Sequence, residues 1–102
     1  MDHSAESFSR HLNTKFRVKL ESNEPVELEL VEVAVRNTEP NEQAGMERFS
    51  TFFYGPANYL LPQQTYELAH HEMGEMYLFI VPIGQDQRGI RYEAVFNLFK
   101  DD

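Results

Sequence analysis

Eight consecutive apolar residues, MYLFIVPI at 76–83, constrain the fold of this chain more than any other stretch. A run this short, rich in aromatic and β-branched residues, reads as a strand buried on both faces. A turn at 72–75, containing Gly74, joins it to a preceding strand that begins at Thr65, so the two form a hairpin. Leu78, Phe79, Ile80 and Val81 are expected to be buried together, which requires other strands on both sides of them.

The rest of the chain supplies those strands. Residues 15–21 alternate, with Phe16, Val18 and Leu20 on one face and Arg17, Lys19 and Glu21 on the other. Ser22-Asn23-Glu24-Pro25 is a hairpin-type connection. Residues 26–36 form a long strand whose apolar positions change phase: Val26, Leu28 and Leu30 are even, Val31, Val33 and Val35 odd. A strand has a period of two, so this pattern predicts a bulge or bend at Leu30–Val31. Residues 37–47 carry no apolar period and read as the longest loop. Phe49, Thr51 and Phe53 share one face of a strand over 48–55, which Gly55-Pro56 ends. A last strand over 90–99 turns Ile90, Tyr92, Ala94, Phe96 and Leu98 inward, ahead of a polar tail. Near the N-terminus, residues 4–12 predict a short helix with Ser4 as N-cap, docked through Phe8 and Leu12 at one end of the core. About six strands with turns every 8–12 residues or so define an all-β fold, a small antiparallel barrel or sandwich. The whole chain, 1–102, is expected to be one β domain.

Composition narrows the chemistry. The chain has no cysteine, which excludes disulfides, thiolate zinc sites and thiol nucleophiles. Its formal charge is −8, a field that repels phosphate backbones and anionic lipid heads, so neither nucleic acid nor membrane is an expected partner. No run reaches the roughly 18–20 apolar residues of a membrane helix. The polar start MDHSAESFSRHL lacks a signal-peptide core, and a cytoplasmic location is expected.

Several motifs carry a resemblance. They are Phe8 with Leu12, then Phe16-Arg17-Val18, then Leu28-Glu29-Leu30-Val31-Glu32-Val33 and Phe53-Tyr54-Gly55-Pro56. Leu61-Pro62-Gln63, Tyr66-Glu67-Leu68-Ala69-His70 and Gly74 follow, then Leu78-Phe79-Ile80-Val81-Pro82-Ile83 and Tyr92-Glu93-Ala94-Val95-Phe96-Asn97. In these the chain resembles an uncharacterised bacterial domain-of-unknown-function family, serial 6916. The resemblance spans Phe8 to Asn97 and is weakest at 37–47. It implies a small stand-alone β domain and brings no activity, cofactor or catalytic residue.

The candidate chemistry is sparse. His70 and His71 are adjacent, so on a strand they point to opposite faces and cannot share an ion without distortion. His70 shares a face with Tyr66 and Leu68, which favours a hydrogen-bonded structural histidine; His3 and His11 are the other histidines that could complete a site. No serine sits in a Gly-x-Ser-x-Gly elbow, and no glycine-rich phosphate loop exists. Glu27 and Glu29, on one strand face, read as solvated, and Arg91, Glu93 and Asn97 as a polar outer stripe. No metal, cofactor or catalytic residue is therefore assigned. The expected function is a non-catalytic β domain, a protein-interaction or structural module that binds a protein partner or a second copy of itself. Its partner-binding residues are Tyr59, Leu60 and Leu61, an apolar triplet in a loop. The loop can instead fold back as a cap on the core. The alternative function is a small-molecule-binding barrel whose cavity is lined by Phe52, Tyr54, Tyr66 and Tyr77. An enzyme using His70 with Glu72 or Glu93 is the least favoured class.

Overall fold

The structure is a computed structural model that describes residues 3–21, 24–36 and 46–99. The loop expected at 37–47 falls almost wholly outside the described residues, as do Ser22, Asn23 and the tail after Phe99. The elements are α1 (Ala5–Ser9), β1 (Lys15–Val18), β2 (Val26–Val35), β3 (Met46–Gly55), β4 (Gln64–His70), β5 (Gly74–Asp86) and β6 (Gly89–Phe99). All strand pairs are antiparallel, and the order β1-β2-β3-β6-β5-β4 closes back on β1 to make a ring. No helix among the described residues is long and apolar enough to cross a membrane.

The phase change in β2 does what its pattern predicts. Leu30 pairs with Phe53 and Glu32 with Phe52, which leaves Val31 as the extra residue of a bulge. Before the bulge Leu28 and Leu30 are fully buried, and beyond it Val33 packs against the core. Phe49, Thr51 and Phe53 of β3 all face inward, as their alternation requires. Ser4 caps α1, its hydroxyl accepting from the Ser7 amide at 3.2 Å. The helix is one turn shorter than its pattern suggests. It ends at Ser9, so Leu12 lies outside it and stays exposed, and the docking falls to Phe8 with Ala5 buried beside it. The Phe8 ring meets Phe16, Phe49 and Phe96 with centroids 5.2–6.1 Å apart and plugs the ring at that end.

The central strand corrects the sequence reading. β5 is not buried on both faces: Met76, Leu78 and Ile80 point inward, whereas Tyr77, Phe79 and Ile83 are exposed and Val81 is half-buried. Phe79 is therefore not buried with Leu78 and Ile80. A single antiparallel ring has one core and one outer face, and nothing among the described residues covers the outside of β5. The alternation is real, but the apolar outward residues hide it in the sequence.

β5 also changes neighbours along its length. Residues 74–80 pair with β4, and residues 81–86 pair with β6, with a register shift between Pro82 and Gly84. β6 pairs with β3 over its whole length but with β5 only through residues 89–93. Past Val81 and Glu93 the two strands have no further ladder, and the hairpin forks.

Candidate functional site

The histidine cluster forms where α1 meets the β4–β5 turn. His70 ends β4, and the turn His71-Glu72-Met73 follows, closed by Gly74 at a φ of +82°, the left-handed conformation of a three-residue hairpin loop. His70 Nδ1 accepts from the Glu72 and Met73 amides, both at 3.1 Å. That nitrogen is therefore unprotonated, and Nε2 carries the hydrogen, which it donates to Thr14 Oγ1 at 2.9 Å. Thr14 in turn donates to the His11 carbonyl at 2.6 Å. Both ring nitrogens are committed, and neither is free for an ion. Among the described residues no group of three His, Asp or Glu side chains is placed to hold a metal. His11 sits beside this chain, its Nδ1 2.8 Å from the Ser7 carbonyl and its Nε2 2.8 Å from Glu72 Oε1. It pins the end of the helix to the turn. His3 takes no part in this hydrogen-bond chain and lies against Phe8.

Burial, then the neighbouring His11 and His71, push the His70 pKa below the ordinary imidazole value, against a smaller opposing effect of Glu72. The unfolded chain therefore takes up this proton before the folded one does. Stability gained from neutral His70 is complete above the unfolded value of about 6.5 and falls as the pH drops from there towards the folded value. Urea unfolding between pH 8 and pH 5 should show this decline. His70→Asn, whose Oδ1 replaces Nδ1 as acceptor for the turn amides, should flatten it. An unchanged slope in the variant would show that His70 does not carry the effect.

The outward charges are similarly engaged. Ser50, fully buried, donates to Glu93 at 2.7 Å, and Arg36 bonds both Ser50 and Glu93 at 2.9 Å. Arg91 stacks over Phe52 at 4.6 Å and pairs with Glu32 at 2.8 Å. The expected polar stripe on β6 is thus a network joining β2, β3 and β6. The four aromatics proposed to line a cavity do not converge on one: Tyr66 is buried and donates to the Pro62 carbonyl, Tyr77 is on the outside of β5, and Phe52 and Tyr54 lie under arginines. A surface groove of about 630 Å³ runs beside Tyr54. Lys15 and Arg17 line it opposite Glu29 and Glu27, so its charges alternate in sign.

The loop triplet divides. Leu61 turns inward, fully buried, and its amide donates to the Tyr92 hydroxyl at 3.0 Å. Burial pushes the Tyr92 pKa up, which keeps that hydroxyl neutral. Leu61 is the cap of the ring. Leu60 and Tyr59 remain outside, Leu60 at 57% exposure, beside a groove of about 440 Å³ that it shares with Pro82, Gly84 and Ile90. Further apolar surface lies at the outward positions of β5: Ile83 is 45% exposed, Phe79 51% and Tyr77 72%. Val95 on β6 is exposed as well. Sequence reasoning placed the apolar surplus in the loop, but its larger part is on β5. The signal for it was the lack of polar residues at the odd positions 77, 79, 81 and 83.

The chain belongs to the family described as Domain of unknown function (DUF6916), whose model matches residues 3–96. No curated protein and no solved structure matches it.

Proposed function

We propose that this protein is a non-catalytic interaction module whose contact surface is the outer face of β5, extended by Leu60. The observation that carries this reading is the row Tyr77, Phe79, Val81 and Ile83, apolar at four successive alternate positions of one strand, three of them exposed and Val81 half-buried. At about 3.3 Å per residue the row is about 20 Å long, the scale of a binding stripe rather than of scattered surface residues. Aromatic anchors are the residue type that dominates binding energy at protein interfaces. The histidine cluster and the Ser50–Glu93–Arg36 network support the same reading, because their polar atoms are spent on each other.

The test is photo-crosslinking in the native cell, with a photoreactive phenylalanine at Tyr77 or Phe79 and, as control, at the exposed turn residue Gln87. Discrete adducts at 77 and 79 but not at 87 are expected. Their mass tells a second copy from another protein. Equal, diffuse labelling at all three positions would defeat the proposal.

A further inference from the structure

The fork between β5 and β6 leaves more than apolar side chains exposed. Among the described residues, 74–80 have a ladder partner on one side only, β4, and 94–99 have one only in β3. An open strand edge presents unpaired backbone groups, and proteins ordinarily protect one with lysine, proline, a bulge or an inward charge. Residues 74–80, GEMYLFI, have none of these devices. The only charge is Glu75, and Lys19 neutralises it at 2.7 Å. The proline and the register shift of β5 come at Pro82, where β6 has already taken over the pairing.

We propose that residues 74–80 pair with the same segment of a second copy of this chain, antiparallel across a two-fold axis at Tyr77. This rests on the interaction-surface reading above and names its partner. Seven residues centred on Tyr77 match themselves over their whole length, which is what an isologous interface requires. In that register Tyr77 stands opposite Tyr77 of the second copy, an aromatic cross-strand pair, and Met76 opposite Leu78. Glu75 stands opposite Phe79, so no like charges meet along the ladder. Lys19 lies against Glu75 of this edge and Glu67 of the neighbouring β4, and the chain's net charge of −8 opposes association at longer range, where salt screens it.

Sedimentation velocity over a concentration series, at about 0.15 M salt, reads the assembly, and amide hydrogen exchange on the same samples reads the edge. A monomer–dimer equilibrium is expected, with amides in 74–80 gaining protection as the dimer fills. Tyr77→Lys sets two ammonium groups face to face at the axis and should weaken the dimer about tenfold or more. Tyr77 is 72% exposed, so at concentrations where both are monomeric the variant should melt with the wild type. Gln87→Ser, in the exposed β5–β6 turn away from the ladder, should leave the dimer unchanged. A monomer at every concentration overturns the inference, as does a dimer that withstands Tyr77→Lys without protection in 74–80. In either case adducts of another protein at Tyr77 and Phe79 would still uphold the interaction surface, and their absence would remove that too.

Discussion

Replacing Phe16 by Ala should destabilise the protein by about 3–5 kcal/mol, whereas replacing Phe79 by Ala should cost less than about 1 kcal/mol. The residue type and the fold are shared; the difference is the face. Phe16 is fully buried and touches three separate parts of the molecule. Its ring lies 6.1 Å from Phe8 of the helix, edge-on to Phe53 at 5.6 Å, and 4.4 Å from His70 at the head of the hairpin turn. Truncation leaves a cavity that those neighbours cannot all collapse into, because each is held by its own backbone element. Phe79 is half exposed on the outside of β5 opposite Thr65, and its removal opens no cavity. Urea unfolding at constant m-value measures both. Against a total stability of about 5–15 kcal/mol, the Phe16 loss is large enough to move the midpoint far outside error. Equal losses at the two positions would place Phe79 in the core and undo the outward face on which the proposed function rests.

That pair of residues also marks where the sequence is legible and where it is not. Phe16 alternates with Lys15 and Arg17, so its face can be read directly. β3 can be read the same way through Phe49, Thr51 and Phe53. In β2 the even-to-odd switch locates the bulge at Val31, because a period of two cannot bring both Leu30 and Val33 to the core side without an extra residue, although Val35 is exposed. Phe79 sits between Leu78 and Ile80, and an unbroken apolar run carries no phase. Burial on both faces and burial on one face with an apolar outer surface then give the same string of letters. The ring closure is hidden for a different reason. It depends on Arg17 and Val18 meeting Ala69 and Leu68, a contact between segments about fifty residues apart that leaves no local periodicity. The open edge at 74–80 follows from the ladder partners, which no propensity encodes. The loop triplet was ambiguous because an irregular segment has no period to say which of Tyr59, Leu60 and Leu61 turns in. His70 is better determined: its shared face with Leu68 and Tyr66 points to a hydrogen-bonded residue of the core or the hairpin edge, and the structure adds the two turn amides and Thr14 that satisfy it.

Gly89→Ala should be among the most damaging single-atom additions to this chain, at about 2–5 kcal/mol. Gly89 follows the two-residue turn Gln87-Arg88 and holds a φ of +132°, a conformation that L side chains rarely adopt. A Cβ there would lie 2.1 Å from the Gly55 carbonyl oxygen, far inside contact distance, and the obstacle is backbone rather than a movable side chain. Gly55 cannot retreat. A Cβ on Gly55 itself would already be 2.7 Å from Leu28 and 3.1 Å from Tyr92, so the end of β3 is pressed between the turn and the core. The turn cannot lift away without loss either. Asp86 accepts from the Tyr54 hydroxyl and from the Arg88 amide, which hold its carboxyl below the usual pKa range, and Arg88 lies over the Tyr54 ring at 4.5 Å. Gly84 is the matched control. It lies on the same hairpin, a Cβ there meets nothing within 4 Å, and Gly84→Ala should change stability by no more than about 0.5 kcal/mol. In a chain of this size 1 kcal/mol shifts the melting temperature by roughly 4–8 °C, so thermal unfolding should separate the two variants by about 6 °C or more. A Gly89→Ala protein melting within a few degrees of the Gly84→Ala control would mean that the turn does not close onto Gly55, and the β3–β6–β5 side of the ring would have to be redrawn.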